Sequence, residues 1–308
     1  MIFDESTLRK LEQLTLVADR VRVGLMKGDR RSRKRGSSIE FADYRDYTRG
    51  DDLRRLDWNV YARLERPFIK LLEEEEDLAV HLLVDASASM DWPADPEAIG
   101  RDRNNAPGPE TNKLNYALRL AGALGHVALA GGDQVRATLL VGQDQGMQRW
   151  GPFRGAQNSL RLFHFLESGR ASGVTNLDVS LQQYALRGGR PGLLFLVSDM
   201  FSPAGYREGL KALRARGYDV AIMHVLSPDE IDPPLAGDLK LVDVETGSEA
   251  EITLDPTTVA DYRSRLQEWR DEVAGFCFQR GLHYVPVTTD LSWERLVLRT
   301  LRAQGIVK

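Results

Sequence analysis

Residues 79–90 read AVHLLVDASASM, and the change of character at Asp85 decides the fold. Ala79–Val84 is a short unbroken apolar run, the pattern of a strand buried on both faces in a parallel sheet. Asp85 ends the run and small polar residues follow it. In open α/β sheets, chemistry collects at the carboxyl ends of such strands. That end carries Asp85, Ser87 and Ser89, spaced by two, so a loop leaving the strand can converge three oxygen side chains on one point. One carboxylate with two hydroxyls is a hard-oxygen set suited to Mg²⁺ or Mn²⁺ rather than zinc. The same spacing also suits a plain strand end, where an Asx or Ser turn satisfies local backbone N–H groups.

Working outward, Gly192–Val197 is a second apolar run, and it ends in Ser198-Asp199. Between the two runs the spacing predicts a helix over 113–130, with Leu114, Ala117, Ala121, Leu124 and Ala128 on one small-residue face. A strand over Gln134–Val141, a short edge strand over Gly146–Trp150 and a helix over Asn158–Glu167 follow. Another helix opens at Gly173-Val174-Thr175-Asn176 and runs to about Leu186, with a capping residue near its start. Beyond the second run come a helix over 204–216, a strand over Asp219–His224 and a β-hairpin within 239–254 around Thr246-Gly247. A long helix over 256–280, a strand over Leu282–Val285 and a helix over 291–303 complete the chain. Strand and helix alternate throughout, which predicts an α/β fold: a doubly wound, mostly parallel sheet with a β-hairpin added. Asp85, Ser87, Ser89, Thr175 and Asp199 then lie in loops on one carboxyl edge.

The front of the chain is chemically different. Residues 1–70 hold 17 Lys+Arg against 12 Asp+Glu, a net of +5 in a 308-residue chain of net charge −4. We expect two parts, an N-terminal extension over 1–70 and the α/β domain over 71–308. Leu8, Leu11, Leu14, Val17 and Val21 predict one amphipathic helix over 5–25. The block KGDRRSRKRG then crowds Arg30, Arg31, Arg33, Lys34 and Arg35 together, a solvated loop or a partner-binding patch. It has no interleaved aromatic, which argues against single-stranded nucleic acid as the partner. Residues 36–70 mix Phe41, Tyr44, Tyr47, Trp58, Tyr61 and Phe68 with opposite charges. They read as a docked segment held by a structural network of Arg45, Asp51, Asp52, Arg54, Arg55, Asp57, Trp58 and Arg63. The four glutamates of Leu71–Asp77 lead into the first strand as a charged, protected edge. Residues 91–112, rich in Pro, Gly, Asn and Asp, read as an insertion placed to cover the Asp85 loop.

At this point the chain resembles the von Willebrand factor A fold with its metal-ion-dependent adhesion site. That family's pattern is D-x-S-x-S, a later Thr and a later Asp, and Asp85-Ala86-Ser87-Ala88-Ser89, Thr175 in GVTN and Asp199 in LVSDM match it. The upstream run GSSIEFADYRDYTRGDDLRRLDW, with the Ala62-Arg63 pair after it, resembles the bacterial "domain of unknown function 58" family over roughly residues 30–250. Members of that family commonly belong to systems with MoxR-type AAA+ ATPases. The resemblance implies a cation, Mg²⁺ or Mn²⁺, held by the serines with Thr175 or an Asp, and an open position that accepts a carboxylate from a partner. It implies a protein-interaction module, an adaptor of such an ATPase or its client protein, and not an enzyme.

A Mg²⁺-dependent hydrolase or phosphatase, and a nucleic-acid-binding protein acting through the basic 27–35 loop, are the alternatives from other classes. Haloacid-type phosphatases need an acid two residues after the nucleophile, and Ser87 stands there. No G-x-x-x-x-G-K-[ST], G-x-S-x-G or H-E-x-x-H occurs. His81, His126, His164, His224 and His283 are dispersed, and Cys277 is the single cysteine, so no internal disulfide framework exists. No run of 18 apolar residues and no signal-peptide core appear, which predicts a cytoplasmic protein without a membrane segment.

Overall fold

Ala79–Ala86 forms a strand buried along its whole length in a computed structural model of the chain. The structure describes residues 3–17, 40–48, 51, 56–73, 78–93, 111–142, 146–234, 237–245 and 247–308, with the side chains of 40–44 and 70–73 outside the description. In chain order the elements are α1 (Glu5–Leu11), β1 (Glu40–Asp46), α2 (Trp58–Leu64), β2 (Phe68–Glu73), β3 (Ala79–Ala86) and α3 (Lys113–Ala130). Then come β4 (Gln134–Val141), β5 (Met147–Arg154), α4 (Ser159–Glu167), α5 (Leu177–Arg187), β6 (Leu193–Ser198), α6 (Arg207–Arg216) and β7 (Asp219–Leu226). The short α7 (Pro228–Ile231), the hairpin β8 (Gly237–Val242) and β9 (Glu249–Leu254), α8 (Pro256–Gln279) and β10 (His283–Thr288) follow, with a helical segment over 293–303 at the end.

The sheet runs β10-β7-β6-β3-β4-β5, parallel except for the antiparallel edge strand β5. The chain starts at β3, winds one way through β4 and β5, then returns to β6 and winds the other way. The winding therefore reverses between β3 and β6, the switch point outside which doubly wound sheets bind ligands.

Alternation along β3 divides the core. Val80, Leu82 and Val84 pack with Ala121 and Leu124 of α3 and Leu162 of α4, while Leu83 packs with Leu181, Leu210 and Val273 of α5, α6 and α8. The small-residue face of α3 permits a close approach. A Cβ on Gly125 would lie 2.4 Å from Leu162 Cδ2 and 2.9 Å from Leu82 Cδ1.

The chain divides into two compact units, Met1–Gly24 with Leu78–Lys308, and Leu25–Asp77. This differs from the expected division at residue 70. The N-terminal segment belongs with the α/β core because Leu11, Leu14 and Leu16 are buried in it and Leu16 pairs with Val307. The expected helix over 5–25 correspondingly stops at Leu11, where the chain turns to make that bridge; residues beyond 17 lie outside the description. The edge strand β5 is longer than predicted, since pairing with β4 continues to Arg154 past a bulge near Val135.

In the second unit β1 and β2 pair antiparallel, and Leu56 bridges Ile69. Of the predicted network, Arg45 pairs with Asp51 at 2.8 Å and with the Thr48 hydroxyl at 2.6 Å. Asp57 caps α2, accepting from the N–H groups of Asn59 and Val60. Arg63 sits in the last turn of α2, where a cation complements the helix dipole. Trp58 and Tyr61 meet edge-to-face and lie on the exposed side of α2. Asp52, Arg54 and Arg55, the basic residues Arg30, Arg31, Arg33, Lys34 and Arg35, and most of the 91–112 insertion lie outside the described residues.

Candidate functional site

Asp85 is the next-to-last residue of β3, and pairing with β4 on one side and β6 on the other leaves its side chain buried at the switch point. One carboxylate oxygen accepts the Ser87 N–H at 3.0 Å, an Asx turn that reverses the chain into the short 3-10 turn Ala88–Met90. The other accepts the Ser198 hydroxyl at 2.7 Å, across from the end of β6. Both partners are neutral. Burial and the nearby charge of Asp199 together push the Asp85 carboxyl up to about 6, and the hydrogen bonds from Ser198 and Ser87 only partly offset this.

The turn that Asp85 starts sets the Ser87 and Ser89 hydroxyls 3.0 Å apart. Ser87 is buried and Ser89 half-buried. The third predicted loop is stitched to the same turn: the Ala88 N–H donates to Gly173 O at 2.9 Å and the Ser172 N–H to Ala86 O at 2.9 Å. Gly142, just past β4, is pressed against this loop, since a Cβ there would meet Ser172 O at 2.7 Å and Gly173 Cα at 2.9 Å. Thr175 is buried at the start of α5, its carbonyl accepting from the Ser202 hydroxyl. Its own hydroxyl is turned to the Leu140 carbonyl at a long 3.4 Å, a weak bond that leaves the oxygen's lone pairs available.

Asp199 leaves β6 as Asp85 leaves β3. Its Oδ1 accepts the Phe201 N–H at 3.0 Å in a second Asx turn. Met200 between them takes φ 61°, a costly conformation for a side chain of its size, with its N–H bonded to the Ser198 hydroxyl. Asp199 Oδ2 accepts from Lys113 Nζ at 2.7 Å, and the same ammonium donates to Glu230 Oε1 at 2.6 Å. Burial alone would depress the Lys113 ammonium; Asp199 and Glu230 more than offset it and hold its pKa above the usual lysine value. In the hairpin turn, burial raises the pKa of Glu245, Ser89 beside it lowers it in part, and the charge of Asp199 adds to the rise.

The five predicted residues therefore converge on one edge, with Asp85, Ser87 and Ser89 in direct contact and Thr175 and Asp199 on the loops tied to them. Four contributors were missed. Glu230 is written in sequence as part of a capping box with Ser227, and nothing local marks its second oxygen as an ammonium partner. Ser198 and Glu245 have no sequence signal for their roles. Lys113 has one: it follows the capping Asn112 at the first position of a helix, where a cation opposes the helix dipole.

The donor chemistry fits a small hard cation. Asp199 and Glu230 flank one ammonium, Asp85 is bonded to neutral groups at the adjoining strand end, and the paired Ser87 and Ser89 hydroxyls complete an all-oxygen set. Among the described residues no group of three or more His, Cys, Asp or Glu side chains is poised to hold a metal ion, so any ion here would rely on the hydroxyls.

The sequence profile of the family described as "Protein of unknown function DUF58" matches residues 43–272. An uncharacterized protein of Mycobacterium tuberculosis H37Rv is 27% identical over 301 residues, 97% of this chain and 90% of that one. An uncharacterized protein of Mycobacterium avium is 29% identical over 115 residues, 37% of this chain and 68% of that one. Among solved structures, a conserved hypothetical protein BatB of Bacteroides thetaiotaomicron aligns at 14% identity over 74% of this chain and 98% of that one, with TM-score 0.40. An aerotolerance-related membrane protein of Bacteroides fragilis aligns at 16% identity over 74% of this chain and all of that one, with TM-score 0.43.

Proposed function

We propose, starting from the fact that the chain belongs to the DUF58 family, that its α/β unit is a metal-dependent protein-interaction module. The observation that carries this reading is the set of oxygens at the sheet's switch point, where the Asp85 carboxylate, bonded across to Ser198, and the facing Ser87 and Ser89 hydroxyls lie beside Asp199 and its one buried ammonium. In this reading Ser87, Ser89 and Thr175 hold Mg²⁺ or Mn²⁺ directly, and Asp85 and Asp199 hold it through their charge. The ion, when bound, supplies a hard electrophilic contact for one further carboxylate. Asp85 and Ser198 keep the two strand ends in register, and the Gly142–Gly173 contact holds Thr175 against the edge. The further carboxylate comes from a partner protein. No bond has to be broken for this role.

Family membership is the support for a MoxR-type AAA+ ATPase, or its client, as the partner. Among the described residues no helix is long and apolar enough to cross a membrane. The reading places the module in the cytoplasm, and the buried thiol of Cys277, pushed up to about 12 chiefly by burial, takes no part in it. The test is affinity capture of the tagged chain from native lysate in Mg²⁺ and in EDTA. An AAA+ ATPase or client retained only with Mg²⁺, and lost from the Thr175→Ala variant, is the expected result. Capture of the same partner in EDTA would overturn the reading.

A further inference from the structure

Lys113 breaks two rules at once. Lysine is almost never fully buried, yet its side chain is 0% exposed, and it occupies the first turn of α3, whose dipole disfavours a cation. It is held there deliberately. Asn112 caps α3 through Asn115 and reaches back to Asp91 and the Pro93 carbonyl, and the Lys113 N–H donates to Trp92 O at 2.7 Å. The ammonium then bridges Asp199 and Glu230 and lies 5.3 Å from the Phe201 ring centroid. Glu230 is itself fixed, with its second oxygen accepting the Ser227 N–H at 2.8 Å and its carbonyl accepting the Tyr262 hydroxyl from α8. None of the nearby His224 charge competes, because burial lowers that imidazole to about 4 and keeps it neutral.

A buried ion pair of this kind is weak support for stability, since well-packed apolar groups often do as well. Its geometry has a different consequence for a neighbouring site. Asp199 holds the ammonium through Oδ2 and directly follows Ser198, whose hydroxyl is bonded to Asp85, so its charge sits beside the edge where Asp85, Ser87 and Ser89 lie. We propose that Lys113 is a resident cation that neutralises part of Asp199 and thereby sets how weakly the edge holds an exchangeable divalent ion. Glu230 tunes this by drawing the ammonium's charge away from Asp199. This inference rests on the metal-dependent reading above and assigns a positioning residue within it. A weakly held ion suits a contact that must form and release.

Two charge changes then act in opposite directions. Removing the ammonium in Lys113→Met tightens Mg²⁺ binding by about tenfold, because Asp199 regains the charge that the ammonium 2.7 Å from its Oδ2 had neutralised. Removing the opposing acid in Glu230→Gln leaves the whole ammonium on Asp199 and weakens binding by about fivefold. Lys113→Arg keeps the charge and stays near the parent affinity. The experiment is calorimetric titration of MgCl₂ into the full-length chain and these three variants, with a Mn²⁺ titration followed by electron paramagnetic resonance as a second readout. Opposite shifts for Lys113→Met and Glu230→Gln support the inference, and if Lys113→Met does not fold, the Glu230→Gln weakening alone decides. Unchanged affinity in folded variants, or weakening in both, overturns it and leaves Lys113 as a packing ion pair. A parent chain that binds neither ion overturns the metal-dependent reading itself.

Discussion

The two ends of β3 bury polar groups in opposite ways. Near its start, His81 Nε2 donates to the Arg190 carbonyl at 3.0 Å, which leaves Nδ1 to accept the Tyr184 hydroxyl at 2.8 Å. Burial lowers this imidazole to about 4, so the cluster of His81, Tyr184 and Tyr218 is neutral at physiological pH. Four residues later Asp85 is equally buried, but beside Asp199 and an ion-paired Lys113. The neutral end pairs His81 with Tyr184 and Arg190 from within the chain, and the buried Tyr218 hydroxyl there has no hydrogen-bond partner among the described residues. The charged end is left with more acids than cations. The charged arrangement is the one on which the metal-dependent reading rests.

Experiments can break that comparison or sharpen it. The largest effect should come from the shared strand itself: Leu82→Ala empties a fully buried position touching α3 and α4 and should cost about 3–5 kcal/mol by urea unfolding. It damages both ends together, which makes it the reference for changes confined to one end.

Titration should separate the ends by sign. His81 has a folded pKa below its unfolded one, so the unfolded chain binds the proton first and stability falls as pH drops from 6.5 through about 4. The loss should reach about 3 kcal/mol for His81 alone. His224 adds to it from the other half of the sheet. In His81→Phe the His81 share of the acid-side slope should vanish while any Mg²⁺ response is unchanged. Asp85 has the reverse sign. Its folded pKa is raised, so without divalent ions it destabilises the fold progressively as pH rises from 3.8 through about 6. Asp85→Asn should therefore raise the Mg²⁺-free stability at pH 7 by about 3 kcal/mol and abolish stabilisation by Mg²⁺. A less stable Asp85→Asn protein in EDTA would mean that the carboxylate serves the fold and not a ligand.

How much of this was legible in the sequence follows the range over which each feature is set. β3 and β6 were readable because a strand buried on both faces is apolar at every position. The D-x-S-x-S turn was readable because Asp85 and Ser87 make their contact within two residues. Helix α1 was overestimated because its apolar spacing continues past Leu11, where tertiary pairing of Leu16 with Val307 overrides it. The Lys113–Glu230 pair spans 117 residues of sequence, and no local pattern encodes it.

Smaller effects refine the charged end. Gly142→Ala places a Cβ against the Ser172 carbonyl and should displace the Thr175 loop, costing about 1–3 kcal/mol and weakening the Mg²⁺ response. In the separate unit, Asp51→Asn removes the exposed pair with Arg45, whose guanidinium helps hold the Asp51 carboxyl down at about 2. It should leave the melting temperature and the Mg²⁺ response of the chain unchanged, because exposed pairs contribute little.

The central claim is that the carboxyl edge, and not the neutral end of the same strand, binds a divalent cation. Mn²⁺ titration followed by electron paramagnetic resonance tests it most directly, on the full chain, on Ser87→Ala and on His81→Phe. The account predicts one saturable site in the parent and in His81→Phe, and its loss in Ser87→Ala. Binding that survives Ser87→Ala, or no site in the parent chain, would contradict it.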